Sequence, residues 1–112
     1  MTTEPLVESA VKTERRYWQR KKFRGDIQIE WGSVILNGAV RDIGPRGLFV
    51  ELAPQLWLGA AFRAWLNVQP VLLLDCVVAR VEPGMGIALT FDVAEENGKA
   101  QLESLLLSLP AV

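Results

Sequence analysis

Four of six segments between Asp26 and Phe91 alternate apolar with polar residues, and glycine or proline closes nearly all six. In Asp26–Trp31, Ile27, Ile29 and Trp31 fall on one side and Gln28 and Glu30 on the other, the period of a half-buried strand. The second segment, Val34 to Asp42, sets Val34, Leu36, Gly38 and Val40 against Ile35, Asn37, Ala39 and Arg41. Leu48–Leu52, Phe62–Val68, Val71–Glu82 and Gly86–Phe91 follow. The first half of Val71–Glu82 is nearly all apolar, as in a strand buried on both faces or curled into a barrel. A flat sheet of such strands exposes two edges, so the pattern predicts an antiparallel barrel that closes or nearly closes.

The period changes only at the end of the chain. Leu102, Leu105, Leu106 and Leu109 stand at i, i+3, i+4 and i+7, the stripe of an amphipathic helix stopped by Pro110. The helix is expected over 94–109, with Asp92 as its N-cap; Asn97-Gly98 weakens its first turns, so its firm part is expected from near Lys99. The fold class is therefore all-β, a six-stranded antiparallel β-barrel with one C-terminal α-helix covering its open mouth. Gly32-Ser33 reads as a two-residue hairpin turn of type II′. Asn37-Gly38 reads as continuing strand, as a turn or as a bulge. Asp42–Gly47, DIGPRG, is a tight, backbone-shaped turn, and the loop from Ala53 to Gly59 carries Leu56, Trp57 and Leu58 over the core's edge.

The chain has 112 residues, half of them apolar, enough for one domain with a core of its own. It contains no histidine. That removes Ser-His-Asp and Cys-His catalysis and, with a single cysteine, the usual zinc and redox-metal sets. Glu30, Asp42, Glu51, Asp75 and Glu82 are scattered without a paired motif, so neither an enzyme nor a metal or cofactor is expected. Cys76 lies in the apolar run VLLLDCVVARV and reads as a buried, inert thiol. No apolar run approaches the ~20 residues of a membrane span, and the first fourteen residues show neither a charged n-region nor an apolar h-region. A cytoplasmic protein without membrane insertion is expected.

Positive charge is gathered in one place. The net charge is −1, yet Lys12 through Arg24 holds seven of the twelve basic residues against one acid, Glu14. Residues 1–13 read as a flexible leader with at most a turn of helix near Val7 to Val11. Residues 14–24, ERRYWQRKKFR, interleave Tyr17, Trp18 and Phe23 with the charges, which a purely solvating tail does not need. Arginine forks pair two-to-two with a phosphate or with the O6 and N7 edge of guanine, so this segment suits an anion, and its aromatics imply that it docks on its own domain, on a ligand or on both.

Arg16 and Arg20 form an Arg-x-x-x-Arg, preceded by Arg15, and 22 residues after Arg20 comes Asp42 of D-I-G-P-R-G. This pair of motifs resembles the PilZ domain, the bacterial receptor module for cyclic di-GMP, whose signature is RxxxR followed by [D/N]xSxxG. The resemblance covers about Glu14 to Leu109 and implies the six-stranded barrel at 25–91, after the arginine loop at 14–24. It implies Arg15, Arg16, Arg20, Asp42, Gly44 and Gly47 as ligand residues, with Arg24 and Arg46 as further candidates. Arg20 and Arg24 offer a second register of RxxxR; Arg16 and Arg20 are preferred because of the Glu-Arg-Arg that leads into them. One position departs from the pattern: Gly44 stands where the family has Ser. A missing neutral hydrogen bond is worth about 1 kcal/mol, against roughly 1.5–3 for a charge-assisted one, so weakened rather than abolished binding is expected.

Function then reads as a signal-transduction effector, in which cyclic di-GMP reorients the arginine-rich segment and shows a new surface to a protein partner. The alternative is a PilZ-like adaptor that binds no nucleotide and acts by protein contact. Overall acidity, with a single basic segment, argues against DNA or RNA as partner. The chain is expected as a monomer or homodimer.

Overall fold

Alternation along the first strand sets the direction of the whole wall: Ile27 and Ile29 are fully buried while Gln28 and Glu30 are exposed. The computed structural model describes residues 19–52 and 56–112. In chain order it contains β1 (Lys21–Trp31), β2 (Val34–Ile43), β3 (Gly47–Glu51), β4 (Ala61–Leu66), β5 (Leu72–Glu82), β6 (Gly86–Val93) and α1 (Glu96–Ser108). The strands form a closed barrel in the order β1-β2-β3-β6-β5-β4. All neighbours are antiparallel, and β1 closes the ring on β4 with Ile27 opposite Leu66 and Ile29 opposite Ala64. The expected all-β barrel with a C-terminal helix is the fold.

Gly32 has φ 61°, and no described non-glycine residue has positive φ, so the hairpin turn has its left-handed residue at Gly32 alone, as type II′ requires. Asn37 and Gly38 continue the ladder, paired with Gln28 and Ile27. A Cβ on Gly38 would lie 2.4 Å from Val50 Cγ1, so the glycine makes room for a β3 side chain rather than for a bend. The irregularities fall elsewhere: β1 slips against β2 between Lys22 and Gly25, and β2 slips against β3 between Val40 and Asp42.

Two expectations are corrected. The arginine loop does not extend to Arg24, because β1 begins at Lys21, which pairs with Ile43 and is buried to 4 % exposure. A lysine stem buries its methylenes as an apolar side chain does, and Phe23 packs on the core beside it, so charges hid the alternation. The helix begins at Glu96 with Glu95 as N-cap, not at Asp92, which belongs to β6. Gly98 is the reason an apparent breaker is tolerated: a Cβ there would lie 2.4 Å from Val93 Cγ1 and 3.1 Å from Leu72 Cδ2. Close approach of the helix buries Leu102 and Leu106 in the barrel's core. Each is worth about 1.5–3 kcal/mol, more than the roughly 1 kcal/mol a helical glycine costs.

At the hairpin end, Leu56 is buried but Trp57 and Leu58 are exposed. Trp57 meets Trp31 edge-on at 5.0 Å, and Trp31 meets Phe62 at 6.2 Å. Among the described residues no helix is long and apolar enough to cross a membrane. Cys76 points into the core, and burial, with the neighbouring Asp75 charge, pushes its thiol up to about 12. In mildly alkaline buffer an aromatic disulfide reagent is expected to leave the thiol of the folded protein unmodified and to titrate it fully in denaturant; rapid native-state reaction would contradict this burial.

Candidate functional site

The irregularity after Val40 gives Arg41 and Asp42 their unusual relation. Neighbours on a regular strand face opposite ways, whereas a bulge re-aims one of them. Here Arg41 Nε donates to Asp42 Oδ2 at 3.1 Å, and the Arg41 guanidinium lies 3.9 Å over the Phe49 ring. Arg20, one residue before β1, approaches from the other side. Its Nε donates to Asp42 Oδ1 at 3.1 Å and its Nη2 to the same oxygen. Each carboxylate oxygen thus has its own guanidinium.

The turn after β2 forms a floor. Gly44 N–H donates to the Gly47 carbonyl at 2.7 Å, and the Arg20 side chain lies across both glycines. A Cβ on Gly44 would come within 3.2 Å of Arg20 Cδ, whereas one on Gly47 would meet the Leu89 carbonyl at 2.9 Å. Gly47 is therefore confined by backbone, while Gly44 is confined only by a flexible side chain. A Cβ at 44, as the family's serine has, is accommodated if Arg20 yields a few tenths of an ångström.

A hollow of about 330 Å³ opens beside this pair, lined by Arg20, Arg41, Asp42 and Arg80, with Leu48, Ala88 and Leu89 beneath and Val112 at its lip. A second, of about 360 Å³, shares Arg41, Asp42 and Val112 and adds Lys22, Phe23 and Arg24. The residues after the helix frame both. Val112 N–H donates to the Arg20 carbonyl at 3.1 Å and Lys22 N–H to the Pro110 carbonyl at 2.9 Å, so the tail holds the backbone from which Arg20 projects. Arg80 is paired with Glu82 at 2.7 Å and is 61 % exposed. Five cations line the two hollows; Arg20 and Arg41 bond Asp42 directly, a set of donors suited to an anion beside an acceptor suited to guanine-like N–H groups.

Of the residues expected from sequence, Arg20, Asp42, Gly44 and Gly47 come together. Arg15 and Arg16 lie outside the described residues. Arg24 borders the second hollow and pairs with Glu51 at 3.4 Å. Arg46 does not join them: it lines a separate hollow with Asp75 and Asp92. Arg41 and Arg80 were not expected. Adjacency to Asp42 was the available signal for Arg41, masked by its place on the alternating face; nothing local marks Arg80, which the β5–β6 pairing brings in from 38 residues away (42 to 80).

Partial burial pushes the Asp42 carboxyl up, but hydrogen bonds and charge from Arg20 and Arg41 outweigh it, and the group sits below the usual carboxylate value.

The fold is thus a closed six-stranded barrel with a C-terminal helix, bearing a carboxylate shared by two arginines. The sequence matches the PilZ domain over residues 14–108, and the chain belongs to that family, the receptor family for cyclic di-GMP, whose domains are binding modules. Among solved structures, the Bacillus subtilis inhibitor of motility MotI/DgrA superposes with a TM-score of 0.67 at 19 % identity, over 83 % of this chain and 49 % of that one. This chain therefore spans about half of that protein's length. The PilZ domain of CeSA from a cellulose-synthesizing bacterium superposes with a TM-score of 0.59 at 17 % identity, over 78 % of this chain and 93 % of that one. Among curated proteins none matches.

A depressed carboxyl pKa stabilises the fold above the unfolded-state value and loses that contribution as pH falls through the folded-state value. Asp42→Asn is expected to destabilise the protein near neutrality by about 1 kcal/mol, since both arginines are more than a third exposed. Urea melts across pH should show the difference between the two proteins shrinking as pH falls below about 4 and closing once it is below the folded-state value; a difference that never narrows would assign the effect to packing.

Proposed function

We propose that this chain is a cyclic di-GMP receptor that passes the state of its ligand site to a protein partner. The observation that carries this reading is the convergence of Arg20 and Arg41 on Asp42 beside the two turn glycines, in a hollow that Arg80 also lines. A cyclic dinucleotide is a dianion with flat guanine faces. Arginine forks suit its phosphates and its O6/N7 edges, and Asp42 suits N1–H and N2–H. The ligand has to redirect Arg20 from Asp42. An exposed ion pair is worth about 0–1 kcal/mol, whereas a charge-assisted bond to phosphate is worth roughly 1.5–3, so the exchange favours binding.

In this reading the segment that reorients ends at Arg20, because Lys21 onward is held in β1. Arg15 and Arg16 complete the grip from that segment. A ligand that bridges the segment and the barrel alters their relation, and the partner reads the change. One neighbour of this fold is named an inhibitor of motility, which supports action on other machinery. The nucleotide-free adaptor reading draws on Gly44 and on an Arg20 already paired with Asp42.

Calorimetric titration with cyclic di-GMP, with GMP as control, separates the two readings. Saturable binding is expected, lowered about tenfold or more by Arg20→Ala and by Asp42→Ala. Arg46→Ala, on its separate hollow, should leave it unchanged, and Gly44→Ser should tighten it several-fold. No heat and no thermal shift at high ligand would favour the adaptor.

A further inference from the structure

On the outer wall of the barrel a cleft of about 580 Å³ opens over β1, β2 and β4. It is larger than either hollow of the arginine site and shares no residue with them. Strand register lays out its lining. Gln28 lies opposite Asn37 on β2 and opposite Trp65 on β4, so three side chains form one rung across three adjacent strands. Asp26, two residues back on the same face, and Asn67, whose backbone N–H donates to the Asp26 carbonyl at 2.9 Å, lie beside that rung. Burial of Ile27, Ala64 and Leu66 fixes this direction: with those turned inward, Asp26, Gln28 and Trp65 face out. Val71, half exposed, supplies an apolar lip.

The chemistry of this lining differs from that of the arginine site. Gln28, Asn37 and Asn67 offer carboxamides that both donate and accept, and Asp26 offers a carboxylate. Among the described residues none of these four side chains is engaged in a hydrogen bond within the protein. No lysine or arginine lines the cleft among them. An anion would meet Asp26 without a cation, and an apolar ligand would strand three carboxamides away from water. A neutral molecule dense in hydroxyls, with a C–H face for the indole, satisfies every group present, and the volume is that of a small-ligand site.

We propose that this cleft binds a neutral saccharide, with one sugar ring against Trp65 and hydroxyls bonded to Asp26, Gln28, Asn37 and Asn67. The site is independent of the cyclic di-GMP reading. It places a second, uncharged ligand on the barrel wall, leaving Arg20 and Asp42 free.

The test is a titration of the full chain, followed by proton–nitrogen correlation NMR. The probes are neutral oligomers of glucose, of galactose and of N-acetylglucosamine, with oligogalacturonate as the anionic control. Saturable shifts are expected for the side-chain amides of Gln28, Asn37 and Asn67 and for the Trp65 indole N–H with at least one neutral oligomer, and weaker ones with oligogalacturonate. Trp65→Ala should abolish the response and Asn37→Ala weaken it several-fold, each retaining the barrel's amide spectrum; Gln28→Ala, a surface change, serves if Trp65→Ala does not fold. The proposal is overturned if none of the three neutral oligomers shifts these groups. It is equally overturned if the anionic oligomer shifts them as strongly, or if the shifts survive the substitutions.

Discussion

β1 is hydrogen-bonded to β2 along one side and to β4 along the other, and that double pairing makes a ring of the six strands. Closure removes the two edges that a sheet of this size would offer to other chains. It also determines where chemistry can sit. Because β1 is fixed from Lys21 onward and the tail residues bond to its first backbone groups, Arg20 is delivered to one place, beside the end of β2. The turn from Ile43 to Gly47 then has only to present Asp42 and a flat backbone to receive it.

Two local departures from regular pairing make the site chemically useful. The slip around Arg41 lets that side chain share Asp42 with Arg20 and lie over Phe49, while the slip between Lys22 and Gly25 falls where Lys22, Phe23 and Arg24 line the second hollow. A perfectly regular ladder would direct Arg41 and Asp42 to opposite faces. Asp42 then holds two guanidiniums in readiness by bonds that are individually weak at this exposure, so the arrangement is ordered without a large barrier to exchange.

The barrel was legible because period-two alternation survives in four of the six strands, and the helix because its leucines keep a strict i, i+3, i+4 stripe. The start of β1 was not, since Lys21 and Lys22 look solvated until the depth of the Lys21 stem is known. Gly98 misled for a related reason: as a residue type it breaks helices, and only the proximity of Val93 and Leu72 shows it as the point of contact. At the site, Arg20, Asp42, Gly44 and Gly47 belong to two contiguous motifs and could be read together. Arg41 needs the bulge and Arg80 needs the β5–β6 pairing, neither of which leaves a mark in local sequence. The outer cleft shows the same limit, for Gln28, Asn37 and Trp65 are ordinary exposed residues until register lines them up.

The most direct measurement is nitrogen-detected NMR of the arginine side chains, with Nε–Hε signals assigned, recorded before and after addition of cyclic di-GMP. If the ligand enters where Arg20 and Arg41 share Asp42, the signals of Arg20, Arg41 and Arg80 shift while those of Arg46 and Arg63 stay in place. Unchanged Arg20 and Arg41 signals at saturating ligand would contradict the reading and show the Arg20–Asp42 pair to be a structural clasp of the barrel.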